Sequence, residues 1–347
     1  MKEPLKEAML WRREGPLEDG VKCDACSQYC YIPKGHRGVC GVRENKGGTL
    51  YTLVYDKVLG LHPDPVEKKP LYHFLPGTRS FSFGTVGCNF HCEFCQNSDM
   101  SQAPKPLYGG SGEVFGEKRT PASLVKEALS LGCKSIAYTY NEPAIFIELA
   151  HDTMRLAKER GLKNIFVSNG YESEEALELV APYLDAMNID LKSFSPEFYS
   201  KICGGRFSAV IDTIRRAHKK GIWLEVTTLV IPGRNDSDEE LRQIAGFIAG
   251  VSADIPWHIS RFFPMHRMLD VKPTPLPTLE RAYGIGKAAG LKHVYVGNVR
   301  EDTHNDTVCP KCGSICIRRG PYYGGLENHL ADGKCPSCKT GIAGVWS

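Results

Sequence analysis

Hydrophobic and polar positions follow two different periods along the middle of the chain. Between about residues 80 and 300, short runs rich in β-branched and aromatic residues alternate with longer stretches that have the apolar spacing of amphipathic helices. The strand candidates are residues 81–86, 135–140, 164–168, 186–191, 224–231, 257–262 and 293–297. The helix candidates between them are residues 121–132, 144–160, 172–183, 208–220, 236–251 and 279–289.

This order of elements predicts an α/β fold. Repeated βα units form parallel sheets, and six or seven units fit a partial or full (β/α) barrel, which carries its functional residues at the carboxyl ends of the strands. We interpret residues 78–304 as the barrel core. Residues 1–77 and 305–347 lack the alternation and are rich in cysteine and glycine. Such short segments bury too little apolar surface to fold alone, so we interpret them as an N-terminal Cys-rich module and a C-terminal rubredoxin-like or zinc-ribbon-like module.

The overall composition is that of a globular protein, with 42% hydrophobic and 24% charged residues. No run of about 18 apolar residues occurs, so no transmembrane helix is expected. The first residues have no apolar stretch typical of a signal peptide, and we expect a cytoplasmic protein. Net charge is only +3, with basic and acidic residues interspersed, which argues against a nucleic-acid-binding surface.

The fourteen cysteines point to metal chemistry. Thiols stay reduced in the cytoplasm, so metal ligation explains them better than disulfide bonds. Most fall in three sets, which are Cys23/Cys26/Cys30/Cys40, Cys88/Cys92/Cys95 and Cys309/Cys312/Cys316/Cys335/Cys338. The remaining two, Cys133 and Cys203, are interpreted as small core side chains.

The central set follows the first strand candidate directly. Cys88, Cys92 and Cys95 are separated by three and two residues. Three thiolates at this spacing can hold one face of a cubane [4Fe–4S] cluster and leave the fourth iron free to bind a substrate. A zinc site with His91 as the fourth ligand is the alternative, and a position on the first βα loop of a barrel argues against it.

This C-x3-C-x2-C pattern after the first strand, with Phe94 before the third cysteine, resembles the signature of the radical S-adenosylmethionine (SAM) superfamily. The resemblance implies that SAM chelates the open iron and is split by one electron. A 5′-deoxyadenosyl radical would then abstract hydrogen from the substrate. It also implies that Phe94 lies near the cofactor. In such enzymes the cofactors carry the radical chemistry and the protein positions them.

Later motifs match the same family strand by strand. Tyr140, Asn141 and Glu142 stand where the family has a Gly-Gly-Glu-Pro turn that binds the SAM amino group. Asp190 and Lys192 resemble an Asp-Leu-Lys stretch of pyruvate formate-lyase activating enzymes that binds the SAM ammonium and carboxylate groups. Two residues apart on a strand, they face one side. The alternatives are a helix N-terminus for Glu142 and an exposed ion pair for Asp190 and Lys192.

Further SAM contacts are implied at the ends of other strands. Ser168 and Asn169 end the third strand candidate, and Val230 lies in a segment resembling the one that packs against adenine. His258 matches a family histidine near SAM, although a single histidine on a strand is often structural.

The flanking cysteines predict further metal sites. The C-terminal set contains two C-P-x-C motifs, which are typical of tetrahedral Zn or Fe sites, and leaves Cys316 as a spare thiol. Its predicted ligands are Cys309, Cys312, Cys335 and Cys338. The N-terminal set could hold zinc, a mononuclear iron or an auxiliary Fe–S cluster, and we favour a structural mononuclear site. Its predicted ligands are Cys23, Cys26, Cys30 and Cys40.

Over nearly its full length the chain resembles the radical SAM enzymes of the AmmeMemoRadiSam system. The residues that carry this resemblance are the N-terminal cysteines, 35–43, 64–77, 82–97 and 138–143. It implies Memo-like and AMMECR-like companion proteins, and the chemistry calls for a one-electron donor such as flavodoxin or ferredoxin. Two alternative functions stay open. The first is an activating enzyme of a glycyl radical enzyme, and the second, which is not enzymatic, is a zinc-ribbon protein that binds nucleic acid.

Overall fold

A computed structural model describes residues 5–15, 19–299, 304–320 and 325–347, and its first elements are six short strands. They are β1 Lys6–Glu7, β2 Trp11–Arg13, β3 Val21–Cys23, β4 Tyr31–Ile32, β5 Arg43–Lys46 and β6 Thr49–Thr52. These strands form two three-stranded antiparallel sheets, in the orders β1-β6-β5 and β2-β3-β4.

Nine further strands of the described residues form one large sheet. They are β7 Lys57–Pro65, β8 Arg79–Gly84, β9 Glu117–Lys118, β10 Ser135–Tyr138, β11 Lys163–Ser168, β12 Ala186–Asp190, β13 Trp223–Val230, β14 Trp257–Arg261 and β15 Val294–Gly297. The strand order is β15-β14-β13-β12-β11-β10-β8-β7-β9. Strands β8 and β10 to β15 run parallel, whereas β7 pairs antiparallel with β8, and β9 pairs antiparallel with β7 at the edge of the sheet. The predicted α/β fold is confirmed, and within the described residues the barrel is partial.

Within the described ranges, eight α-helices accompany these strands. They are α1 Ser98–Ser101, α2 Pro121–Ser130, α3 Ile147–Glu159, α4 Glu174–Val180, α5 Pro196–Phe198, α6 Phe207–Lys219, α7 Asp238–Val251 and α8 Leu276–Ala288. Local sequence fixes where several of them begin: the hydroxyl of Thr120 accepts a hydrogen bond from the Ser123 amide before α2, and Ser237 caps α7 in the same way. No helix in the described ranges has the length and hydropathy needed to cross a membrane.

The seven strand candidates are all present, with ends shifted by no more than two residues. The sequence pattern did not predict strand β7, although β7 is nine residues long and pairs with β8. It pairs antiparallel with β8 although Pro63 and Pro65 lie within it. Proline is confined largely to edge strands and strand ends, which explains why the alternation was interrupted there.

The segment after β7 runs along the inside of the barrel. Backbone amides of Tyr72 and His73 donate hydrogen bonds of 2.9 and 2.8 Å to the buried carboxylate of Glu225 on β13. Phe74 packs with Ala137, Ile165 and Ala186, which are register partners on β10, β11 and β12, and Ala186 is the first residue of its strand. This end of the barrel is therefore filled by the chain's own side chains.

The C-terminal residues form a small ribbon below that end. Its strands are β16 Thr307–Val308, β17 Ile315–Arg319 and β18 Leu326–Asn328, all antiparallel. Val345 exchanges backbone hydrogen bonds with His73 and Leu75 at 2.8 and 2.7 Å. The buried Arg319 guanidinium donates to the carbonyl oxygen of Tyr72 at 2.6 Å. The ribbon therefore docks at the amino ends of the parallel strands, opposite the cysteine triplet.

Candidate functional site

The loop with the cysteine triplet leaves β8 at its carboxyl end. Gly87 turns the chain there with a φ of +93°, and a Cβ at this position would lie 2.6 Å from the carbonyl oxygen of Cys40. Cys88 and Cys92 are buried and Cys95 is partly exposed, and all three line one cavity of about 340 Å³. Ligand-binding cavities span about 300–1,000 Å³, so the triplet faces a space of suitable size.

The thiols of the triplet lie in apolar surroundings. Burial raises the pKa of Cys88 to about 12, and contact with the Cys203 thiol, together with burial, raises the pKa of Cys92. Such sulfur atoms become thiolates when a metal binds them. Three of them on one wall fit a cubane with one open iron. The ring of His91 instead stacks on Tyr108, with centroids 4.3 Å apart, and does not line the cavity.

Asp190 and Lys192 form an ion pair that lines the same cavity. Lys192 Nζ donates to Asp190 Oδ2 at 2.7 Å, with the lysine side chain 12% and the aspartate side chain 38% exposed. Burial lowers the pKa of Lys192, but Asp190 and the thiols of Cys92 and Cys203 outweigh it, so its pKa stands well above the usual value. The ammonium group also lies 5.8 Å from the centre of the Phe94 ring, and Phe94 lines the same cavity.

The turn after β10 brings Tyr140 and Asn141 to the cavity wall. Tyr140 adopts a φ of +71°, in the left-handed region that favours glycine. Its carbonyl oxygen accepts a 2.7 Å hydrogen bond from Asn97 Nδ2. The side-chain amide nitrogen of Asn141, Nδ2, donates hydrogen bonds to the carbonyl oxygens of Thr85 and Gly87 at 2.9 and 2.7 Å. These bonds tie the turn to the triplet loop.

Glu142 lies behind this wall, fully buried. Its carboxylate accepts hydrogen bonds from the amides of Ala144 and Asn169 and from the Ser168 hydroxyl, at 2.9 to 3.2 Å. Burial, followed by the neighbouring Glu172, raises its pKa well above the ordinary value. The carboxylate is satisfied by protein groups and does not line the cavity, so here it positions Ser168 and Asn169, which do.

Val230 and His258 also lie away from the cavity wall. On β13 it is Thr227 and Leu229 that line the cavity, and Val230, one residue on, is buried toward the opposite face. His258 lies deeper in the barrel than Ser260 of the same strand, and its Nε2 is 2.6 Å from a carboxylate oxygen of Glu225.

The sequence interpretation missed two parts of the site. Lys68 and Lys69 line the cavity from the segment after β7, and both bind Asp64, at 2.9 and 2.8 Å. Cys203, interpreted as a core side chain, ends a π-helical turn and contacts the Cys92 thiol. Single π-turns are common at functional sites, but no residue pattern in the sequence signals one.

The ribbon brings four cysteines together as a candidate metal centre. The Sγ atoms of Cys309, Cys312, Cys335 and Cys338 all lie within 4.8 Å of one another, and two pairs are 3.6 Å apart. A tetrahedral zinc about 2.3 Å from each sulfur would set them about 3.8 Å apart. Hydrogen bonding to Thr340 lowers the pKa of Cys338 to about 6, which favours a thiolate. Cys316 is buried beside Cys335 but outside this group.

The N-terminal cysteines line a second, largely apolar pocket on the other side of the triplet loop. The pocket is bordered by Cys23, Cys26, Cys30 and Cys40, together with Ala25, Ile32, Asn89, Ala144 and Ile145. Unlike the ribbon cysteines, these four do not bring their sulfur atoms within 4.8 Å of one another. The mononuclear site favoured from the sequence therefore gains no support from the spacing.

Comparison with known proteins relates the chain to several others. The Radical SAM superfamily matches residues 83–245. A Methanocaldococcus jannaschii protein described as uncharacterized is 41% identical over 337 residues, covering 96% of this chain and 98% of that protein. The GTP 3′,8-cyclase of Limosilactobacillus fermentum is 25% identical over 215 residues, 60% of this chain and 61% of the cyclase. The structure of Streptococcus suis SuiB bound to S-adenosylmethionine has a TM-score of 0.50 at 12% identity, covering 70% of this chain and 55% of SuiB. The likeness to SuiB concerns the fold.

Proposed function

Because residues 83–245 of this chain form a Radical SAM superfamily domain, we propose that the chain holds a [4Fe–4S] cluster on Cys88, Cys92 and Cys95 and uses it to cleave SAM reductively. The cluster supplies one electron, and SAM yields methionine and a 5′-deoxyadenosyl radical that abstracts hydrogen from the substrate. Membership of the superfamily implies an enzyme. The chain's own residues position SAM and exclude water.

One observation carries this proposal. The three thiols and the ion pair of Asp190 and Lys192 face a single cavity at the carboxyl ends of the parallel strands, where barrel enzymes place their chemistry. Opposite charges held 2.7 Å apart match a ligand that carries both an ammonium and a carboxylate group. In this arrangement Asp190 binds the SAM ammonium and Lys192 binds its carboxylate.

Other residues of the cavity would hold the rest of SAM. Ser168 and Asn169 present hydroxyl and amide groups that Glu142 fixes in place. Thr227 and Leu229 give β13 a partly apolar wall, which suits an adenine ring better than Val230 does, because Val230 faces away. The edge formed by Lys68 and Lys69 lies outside these predicted SAM contacts and is left for substrate.

The substrate in this proposal is a small molecule or a segment of a companion protein, with Memo-like and AMMECR-like proteins as the companions. Support comes from the resemblance carried by residues 35–43 and 64–77. The second of these ranges contains Lys68 and Lys69, which line the cavity. Pull-down of purified candidate companions, followed by their effect on SAM cleavage, tests this part separately.

We also propose that the ribbon holds one zinc or iron ion on its four close cysteines. The 3.6 Å spacings match a tetrahedral thiolate site. Because the ribbon docks at the amino ends of the strands, away from the triplet, this ion stabilises the fold and takes no part in SAM cleavage.

The central test is SAM cleavage under anaerobic conditions. Protein reduced with dithionite and given SAM should form 5′-deoxyadenosine and methionine, even without substrate. Cys92→Ala should abolish both products together with the cluster's spectroscopic signal. Cys133→Ala is the matched control, because Cys133 is also buried but lies outside all three cysteine sets. S-adenosylhomocysteine as the only product, or a cluster retained in Cys92→Ala, would contradict the proposal.

A further inference from the structure

The three cysteine sets differ in how far apart their sulfur atoms lie. In the ribbon all four are within 4.8 Å, as a single ion requires. Within the described ranges no other group of three or more Cys, His, Asp or Glu side chains has its ligand atoms that close. The four N-terminal cysteines line one pocket but do not form such a close group, and neither do the three cysteines of the triplet. A cubane needs wider spacing, because each cysteine binds a different iron.

The pocket of the N-terminal set also contains buried donors without acceptors. Arg43 is 2% exposed and Asn89 fully buried, and both line the pocket. Within the described part of the chain, neither Arg43 Nε nor Asn89 Nδ2 has a hydrogen-bond partner. A buried unsatisfied donor costs about 1–3 kcal/mol. Sulfur atoms of a bound cluster are hydrogen-bond acceptors of the kind that these two donors lack, whereas the pocket's alanine and isoleucine side chains offer none.

We propose that Cys23, Cys26, Cys30 and Cys40 hold a second [4Fe–4S] cluster, which relays single electrons to the cluster on the triplet. The relay role rests on the function proposed above, whereas the presence of the second cluster does not. The proposal replaces the mononuclear site favoured from the sequence with the Fe–S alternative.

The two sites share one wall. Cys88 lines the cavity of the triplet, and the next residue, Asn89, lines the pocket of the N-terminal set. Buried Lys105 spans the same wall: its ammonium donates to the carbonyl oxygens of Cys88 and Phe90 at 3.1 and 2.6 Å and interacts electrostatically with Cys40. Lys105 places one positive charge beside both sets of thiolates, which stabilises negative charge on either cluster.

The proposed relay needs one external one-electron reductant for each SAM that is cleaved. A low-potential protein of the ferredoxin or flavodoxin class gives one electron to the second cluster, which changes from the 2+ to the 1+ state. That electron passes to the triplet's cluster and then to SAM, whose sulfonium–C5′ bond breaks to give methionine and the 5′-deoxyadenosyl radical. The second cluster returns to the 2+ state, and one donor is oxidised for each SAM cleaved.

Acid-labile sulfide in the full-length, anaerobically purified protein tests the second cluster, because a mononuclear site contributes none. Wild-type protein should contain about eight sulfides per chain, four from each cubane. A variant with Cys88, Cys92 and Cys95 all changed to Ala should keep about four, and so should Cys26→Ala/Cys30→Ala. Cys133→Ala is again the control and should keep the wild-type content.

The variant without the triplet separates this inference from the proposed function, since it cannot cleave SAM whatever the N-terminal set holds. Sulfide near zero in that variant, with one zinc or iron remaining beyond the ribbon's ion, would overturn the second cluster. This result does not depend on whether Cys26→Ala/Cys30→Ala folds.

The relay has its own readout. SAM cleavage is measured with reduced flavodoxin or ferredoxin and with dithionite, a small reductant that can reach the triplet's cluster directly. In Cys26→Ala/Cys30→Ala, the ratio of donor-driven to dithionite-driven cleavage should fall to background. A ratio equal to that of Cys133→Ala would overturn the relay.

Discussion

Replacing Asp190 with alanine is the most direct test of how SAM is held. In the structure this carboxylate accepts a 2.7 Å hydrogen bond from Lys192 and faces the cavity of the triplet. Asp190→Ala removes the group proposed to bind the SAM ammonium. It also leaves the buried Lys192 without its anionic partner, while the cysteines proposed to hold the cluster are untouched.

The expected loss follows from the strength of charged hydrogen bonds. Each contributes about 1.5–3 kcal/mol, and about 1.4 kcal/mol corresponds to a tenfold change in affinity, so the full range is about 10- to 100-fold. Asp190 is 38% exposed, and solvent screens a charge at such a position. We therefore expect the dissociation constant of SAM to rise by a factor nearer about 10 than about 100, with Asp190→Asn between alanine and wild type.

Equilibrium binding of SAM to anaerobic protein measures this effect, with iron and sulfide content determined on the same samples. Glu197→Ala is the matched control: Glu197 pairs with Lys201 at 2.5 Å, but the two side chains are 71% and 73% exposed. It should bind SAM like wild type. Unchanged affinity in Asp190→Ala at full iron content would show that the pair is only structural. Loss of iron would show that the effect reaches SAM through the cluster.

Four further substitutions, one of them a control, test other parts of the structure. Cys335→Ser should remove one zinc or iron per chain and make only residues after about 305 protease-sensitive, since the metal supplies much of the ribbon's folding energy; full metal occupancy would indicate that Cys316 serves as a ligand. Gly87→Ala and Gly132→Ala both place a side chain at positive φ, which costs about 1–2 kcal/mol, but only Gly87 also meets a backbone oxygen at 2.6 Å. Gly87→Ala should therefore lose iron, and equal iron in both variants would contradict this. Glu142→Gln should lower the free energy of unfolding by about 1–3 kcal/mol and weaken SAM binding less than Asp190→Ala; the reverse order would mean that this carboxylate binds SAM directly.

The parallel part of the fold could be predicted because each βα unit repeats a local pattern. Seven strands with strong apolar runs appear where the sequence places them. Strand β7 could not be found in this way, because its pairing depends on β8 and its prolines interrupt the pattern. The segment inside the barrel was equally hidden, since its partner Glu225 comes from a strand about 150 residues later.

In the candidate site, too, local spacing could be predicted from the sequence, whereas contacts between distant segments could not. Asp190 and Lys192 line the cavity together, as a spacing of two on an extended chain predicts. The expectation for Val230 named the right strand but the wrong face, since alternate residues of β13 point in opposite directions. For Glu142, the deciding contacts come from Ser168 at the end of the neighbouring strand β11, and no local pattern reveals them.

The filled end of the barrel limits the routes by which ligands can enter and leave the cavity. Tyr72, His73 and Phe74 occupy the interior at the amino ends of the strands, and the ribbon covers them. A through-channel along the barrel axis is thereby closed in the described part of the chain. Under the proposed function, SAM and substrate would enter, and methionine and 5′-deoxyadenosine would leave, on the side of the cavity at the carboxyl ends of the strands. Spent nucleoside that lingers there would slow every later turnover.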